Sequence, residues 1–163
     1  MLVMQSTGAL EMGGILPYVK RIAKGTFFFE GCGAVLLATR FIPRFGVVKG
    51  IWFSVFHSVS AFCNAGFDLI GGYNSFVDYK GDVIINFTIC ALIIVGGIGF
   101  FVWSDLLKNK LRFKEYRLHT KMVLTCTIVL VLAGAGVFFL LEQNGSLAGL
   151  SVGEQITSSI FQS

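Results

Sequence analysis

Charge is scarce in this chain. Asp, Glu, Lys and Arg make up 13% of its 163 residues, while hydrophobic residues make up 55%. A soluble domain carries about 25% charged residues, so this deficit excludes an ordinary soluble fold and points to an integral membrane protein. Catalytic signatures are missing too. There is no H-E-x-x-H, no G-x-S-x-G and no pair of histidines inside an apolar segment, which argues against a membrane enzyme or an electron carrier. No catalytic residue and no cofactor is expected. The four cysteines, Cys32, Cys63, Cys90 and Cys126, lie far apart, and their spacing suggests neither a metal site nor a disulfide framework. They read as small polarizable packing residues. Met1 to Tyr18 lacks the basic start, apolar core and small-residue cleavage site of a secretory signal.

What is present is apolar and segmented. Val83 to Trp103 and Met122 to Leu141 contain no charged residue and have the roughly 20-residue length of a membrane span. A third candidate, Gly25 to Ile42, is interrupted only by Glu30 and, near its end, Arg40. Six basic residues between Lys108 and Lys121 crowd the connection between the two clear spans. A basic patch can serve nucleic acid, but short basic loops between spans are the signature of the cytoplasmic side, so no nucleic-acid partner is expected. Lys20, Arg21 and Lys24 place the start of the first span inside as well. Arg40, Arg44 and Lys49 are a mild exception on the outer side. The organisation predicted is a cytoplasmic lead-in over 1–24, broken by Gly13-Gly14 and Pro17, then a helical unit over 25–104, a basic cytoplasmic loop over 105–121 and a further unit over 122–163.

Between the first two spans, Gly50 to Phe62 is apolar and aromatic but reaches only about 20 Å as a helix, too short to cross. It either lies in the interface or dips into the membrane and returns. The small and polar run after it, Ser60-Ala61-Phe62-Cys63-Asn64-Ala65-Gly66-Phe67-Asp68, favours re-entry. A repeat strengthens this. Ser54-Val55-Phe56-His57-Ser58 returns 105 residues later as Ser159-Ile160-Phe161-Gln162-Ser163, each copy following a span and an outer connection. The unit reads as helix, short re-entrant helix, loop, helix. The chain stops within the second short helix, 152–163, so it is expected to be part of a longer protein.

A re-entrant run of this kind can meet a cation with backbone carbonyls in place of its water shell. Asn64, Ala65, Gly66 and Phe67 are the candidate carbonyl donors, with Gly66 permitting the bend at least cost. The short helix would aim its negative C-terminal end at the ion, and Phe67 would brace the loop from behind. A plain glycine turn in an outer loop is the competing reading. Glu30 suits helix pairing, with a pore or dimer role as the alternative. His57 is expected to bond neighbouring backbone, and His119 to sit at the membrane edge. Gly96, Gly97 and Gly99 are expected to let helices approach closely, a hinge being the alternative.

The run Phe56 to Phe67 resembles the second pore region of the Trk/Ktr/HKT superfamily of potassium transporters, and is most like the bacterial Ktr-type membrane subunit. Gly96-Gly97-Ile98-Gly99-Phe100 resembles the glycine cluster in the helix after that filter, and Leu118-His119-Thr120-Lys121 the start of the next repeat. The resemblance implies an all-α, potassium-channel-like membrane protein of four helix–pore helix–helix repeats around one pore. Each repeat would give one filter strand with a single glycine. This chain would hold the second repeat, with spans 25–42 and 83–103, pore helix 50–62 and filter 63–68, and the start of the third. It further implies potassium as the transported ion, sodium as a coupling or activating ion, a homodimer of the full-length subunit in the cell membrane, and cytosolic nucleotide-binding regulatory subunits that the basic loop would contact. A non-conducting structural or assembly subunit is the alternative function.

Overall fold

The computed structural model describes residues 12–72, 75–110, 112–143 and 145–163, with side chains from Pro17 onward. Of the expected lead-in, Met1 to Glu11 lies outside the described residues. Among those described, all regular structure is helical: α1 (Met12–Phe45), α2 (Val47–Phe62), α3 (Val83–Gly97), α4 (Phe100–Asn109), α5 (Leu118–Glu142) and α6 (Val152–Gln162), with short 3-10 turns at Val77–Tyr79 and Phe113–Glu115.

The break expected at Gly13-Gly14 and Pro17 does not occur, since α1 runs through all three residues and through Pro43. Proline removes one N–H and crowds the carbonyl four residues earlier. Both prolines sit near an end of α1, where few helical hydrogen bonds are at stake, and the residue four before Pro17 is Gly13. Helix α1 then reverses sharply into α2 through Gly46, whose φ of +80° is a conformation glycine reaches without strain. Gly50 keeps the reversal tight: a Cβ there would lie 2.6 Å from the Ile42 Cα. Farther along, the Ser58 hydroxyl donates to the Glu30 carbonyl at 2.7 Å. Helix α2 therefore folds back along α1.

The core lies between α1, α2 and α3. Leu37, Phe41 and Ile85 are fully buried, joined by Phe53, Phe62, Ile89 and Leu92. The outer basic residues that departed from the inside-positive pattern each have a local partner. Arg40 pairs with Asp82 at 3.3 Å, and Arg44 pairs with Asp78 at 3.8 Å while stacking over the Tyr79 ring. Lys49 lies over the rings of Phe45 and Phe53.

The continuous span expected over Val83 to Trp103 is corrected to two helices meeting at 96°. Helix α3 starts at Asp82, whose carboxylate accepts the N–H groups of Ile84 and Ile85, and it stops at Gly97. Gly99, at φ +86°, turns the chain into α4. The Trp103 indole N–H donates to the Val95 carbonyl at 2.9 Å, so this carbonyl beside the break is not left without a partner. The glycine cluster therefore has two uses. Gly99 makes the bend, and Gly96 makes the close approach, because a Cβ there would run into the Phe62 carbonyl.

Much of the segment expected as a basic loop is also helical. Helix α4 occupies its start, and α5 begins at Leu118 rather than Met122. The two are joined through Asp105, which is buried. One oxygen accepts from the Asn109 amide at 2.8 Å and the other from the Arg117 backbone N–H at 2.9 Å. Helix α6 starts at a capping box, with Ser151 and Glu154 exchanging side-chain-to-backbone bonds.

Candidate functional site

The depth of α2 fixes where the run after it lies. Its last residue, Phe62, stacks on Phe29 of α1 with ring centroids 6.5 Å apart. Phe29 is roughly 24 Å, by helical rise, from the end of α1 at Phe45, about the length of α2 itself. The apolar stretch of α1 runs from Pro17 to Phe45, so α2 ends near its middle. There the helix stops: the N–H of Cys63 still bonds to the Val59 carbonyl, while Asn64 takes a left-handed conformation at φ 54°. The Ala65 N–H returns to the Ser60 carbonyl at 2.9 Å.

From this point the chain climbs back beside α2. The Ser60 hydroxyl donates to the Phe67 carbonyl at 2.7 Å, and the Leu69 N–H donates to His57 Nε2 at 3.2 Å. On its other side, His57 Nδ1 lies 2.7 Å from the Phe53 carbonyl. That carbonyl can only accept and Leu69 N–H can only donate, so the imidazole is neutral with its proton on Nδ1. His57 is 2% exposed among the rings of Phe41, Phe53 and Phe76. It ties α2 to the ascending strand by backbone bonds, the role expected for it.

The four candidate donors lie on that strand, and every residue from Cys63 to Asp68 is exposed. Asn64 is steadied by its amide, 3.4 Å from the Ile93 carbonyl of α3. Gly66 has φ +75°, and a Cβ on it would meet nothing within 4 Å. It is thus required for its backbone conformation, and it borders open space. Phe67 is 71% exposed and packs against nothing behind the strand among the described residues, and its carbonyl accepts from Ser60, which occupies one of two lone pairs. A cleft of about 280 Å³ borders the strand, lined by His57, Ser60, Asn64 and Asp68 and reached by Phe161 of α6. Asp68 turns its carboxylate to the N–H groups of Ile70 and Gly71.

Ser60 and Gly96 were not foreseen as individual determinants of the strand. A hydroxyl on the last turn of an otherwise apolar helix was the available signal for Ser60. For Gly96, sequence could not separate its role from that of Gly97 or Gly99. Glu30 contributes its backbone carbonyl to Ser58, and its side chain enters no ion pair among the described residues. The cysteines are all free. Among the described residues no group of three metal-ligating side chains comes together.

Comparison with known proteins agrees with this architecture. The family model for TrkH, described as a cation transport protein, matches residues 6–163. The potassium/sodium uptake protein NtpJ of Enterococcus hirae is 42% identical over 154 residues, covering 94% of this chain and 34% of that protein. The Ktr system potassium uptake protein B of Bacillus subtilis is 37% identical over 164 residues, covering 99% of this chain and 36% of its own length. The Ktr system potassium uptake protein D of the same organism is 32% identical over 166 residues, covering 99% and 36%. The chain thus spans about a third of the length of these relatives. They are transporters, not enzymes, and the apolar helices suit the same setting. This chain is a multi-pass membrane protein and belongs to the TrkH family of cation transport proteins.

Proposed function

We propose that this chain is one complete helix–pore helix–helix repeat, with the start of the next, of the pore-forming subunit of a potassium uptake system. In this reading Cys63 to Asp68 is one of four filter strands, and the carbonyls of Asn64, Ala65, Gly66 and Phe67 replace part of the water shell of a passing potassium ion. The observation that carries the proposal is an exposed stretch of non-helical backbone near mid-depth of an apolar helix. Hydrocarbon cannot satisfy such backbone, which is tolerated only against protein or a water-filled path. A transported cation is the partner that uses it.

Three features support the chemistry. The C-terminal end of α2 carries a partial negative charge toward the strand. Left-handed conformations at Asn64 and Gly66 redirect the peptide planes along the strand, as aiming successive carbonyls at one axis requires. The bond from Ser60 to the Phe67 carbonyl holds the strand without consuming both lone pairs. The serine contacts of α2 and α6 support the repeat. Ser54 and Ser159 each bond the carbonyl four residues back at 2.7 Å, and Ser58 and Ser163 each reach a carbonyl of the preceding long helix. Flow would follow the electrochemical gradient. The relatives' names, potassium/sodium uptake and Ktr system, favour sodium as a second ion and additional subunits. Those subunits, like a homodimer of the whole protein, belong to the proposal.

The test is Gly66→Ser in the full-length parent, expressed in cells lacking other potassium importers, with potassium and sodium uptake measured. Left-handed backbone at a non-glycine residue costs about 1–2 kcal/mol, and the side chain would enter the open space beside the strand. Weaker potassium selectivity and slower rescue at low potassium are expected. Unchanged selectivity would reject the filter assignment.

A further inference from the structure

The inner end of α1 and the helix beyond the Gly99 bend enclose a cavity that the pore does not use. It has a volume of about 430 Å³ and is lined by Tyr18, Arg21, Lys24 and Phe28 of α1 and by Trp103 and Leu106 of α4, among others. The four α1 residues recur at three- and four-residue spacing, so they share one face. Along that face the chemistry changes from cationic to aromatic over roughly 10 Å, the rise from Arg21 to Phe28. Gly25 opens the site to α4, because a Cβ there would lie 2.9 Å from the Trp103 ring. Trp103 is fixed in turn by its bond to the Val95 carbonyl and by ring contacts with Phe29 and Phe100.

Two observations bear on the polar end of the cavity. Arg21 and Lys24 are exposed and enter none of the ion pairs formed among the described residues. The Tyr18 hydroxyl oxygen is buried and has no hydrogen-bond partner among the described residues. Buried polar atoms without partners are rare, and leaving one unpaired costs stability. Two cations and one unpaired hydroxyl at one end of an apolar cavity match an anionic group joined to a hydrocarbon body. Basic pockets between membrane helices on the cytoplasmic side are where phospholipid headgroups are held. Its position suits this, since Lys20, Arg21 and Lys24 mark the inner membrane face.

We infer that this cavity binds one anionic phospholipid of the inner leaflet. The phosphate accepts from Arg21, Lys24 and the Tyr18 hydroxyl, and the glycerol and upper acyl chain lie against Phe28, Trp103 and Leu106. The site would anchor the start of α4 to the bilayer, independently of ion selection at Gly66.

The experiment is native mass spectrometry of the full-length parent, purified and exposed to equal amounts of phosphatidylglycerol and phosphatidylcholine. The wild-type protein should retain phosphatidylglycerol preferentially. The double variant Arg21→Gln/Lys24→Gln should lose about tenfold in that preference, and Tyr18→Phe about threefold. Leu106→Trp, which fills the apolar wall without touching charge, should also lower retention. Lys110→Gln/Lys114→Gln removes two charges outside the cavity and should leave retention unchanged. Equal losses from the two charge pairs would overturn the site in favour of diffuse surface attraction. Wild-type retention in Leu106→Trp would overturn the apolar seat. No preferential retention by the wild type would mean that another part of the parent fills the cavity, and would reject the proposal outright.

Discussion

Helices α2 and α6 carry the same serine pattern and meet their preceding long helices in the same manner, but they start and pack differently. Ser58 of α2 reaches the Glu30 carbonyl of α1, and Ser163 of α6 reaches the Val131 carbonyl of α5. Both contacts pass over a glycine, Gly33 in one case and Gly134 in the other. Around Ser58 the space is closed: the residue is 0% exposed, with Leu92 of α3 pressed against the same glycine. Ser163, the last residue of this chain, is exposed. In the first unit α3 therefore packs over the serine–glycine contact, and it is this contact with a third helix that the comparison isolates.

The link between the two units should show the largest effect when broken. Asp105 is the only described side chain that ties α4 to the first turn of α5 through a carboxylate. The Thr120 hydroxyl, then the Arg117 N–H, with the Asn109 amide, hold its carboxyl below the ordinary carboxylate range. Asp105→Ala in the parent should lower the thermal midpoint more than alanine at Gly33, Gly134, Gly46 or Ser151. The pH dependence has a definite sign. A depressed folded-state value means that the stabilisation is fully present above the unfolded value, near 4 on the order of ordinary carboxylates, and is lost as pH falls through the folded value. The gap between wild type and variant should therefore be flat near neutrality and close on strong acidification. A gap that widens in acid would contradict the assignment.

The two glycines separate the closed contact from the open one. Gly33→Ala places a Cβ 2.6 Å from both the Ser58 hydroxyl and Leu92, and neither can yield, being buried and, for Ser58, hydrogen-bonded. Overpacking of this kind costs about 1–3 kcal/mol. Gly134→Ala meets the Ser163 side chain, which is exposed and can swing aside at the expense of its bond to the Val131 carbonyl, so a smaller loss of about 1 kcal/mol is expected. Thermal midpoints of the two variants of the parent, measured side by side, test this. Equal losses would show that a third helix closes the second contact in the whole protein as α3 closes the first.

These contrasts also mark what sequence made legible. The short apolar helix, the polar run after it and the spacing of the serine pattern depend on local composition, and α2 begins only three residues before the expected Gly50. The bend at Gly99 was not legible in the same way. A cluster of three glycines permits either a close approach or a turn, and the choice depended on whether the Phe62 carbonyl lay against Gly96, a contact 34 residues away in the chain. Pro17 misled for a related reason. Its cost is set by distance from the helix start, and that start was itself the quantity sought. At the strand, Gly66 was readable because its requirement is conformational, whereas the bond from Ser60 to Phe67 needed the strand to turn back beside α2 first.

The starts of α2 and α6 give the finest comparison. Helix α2 has no side-chain cap; it inherits its direction from α1 through Gly46 at φ +80°. Helix α6 is capped by Ser151, whose hydroxyl accepts the Glu154 N–H. Gly46→Ala forces a Cβ into a left-handed conformation but meets nothing within 4 Å, so the cost is backbone strain alone, about 1 kcal/mol. Ser151→Ala loses the cap, also about 1 kcal/mol. Equal energies should nonetheless read out differently. Strain at Gly46 acts on the angle at which α2 descends along α1, and so on the depth of Gly66. Loss of the Ser151 cap frays a helix start that touches no strand in this chain. Potassium over sodium selectivity of the parent should therefore shift in Gly46→Ala and hold in Ser151→Ala at matched stability. If both variants left selectivity untouched, the angle of α2 would not control the strand, and the bond that His57 accepts from Leu69 and the one that Ser60 donates to Phe67 would be sufficient to position it.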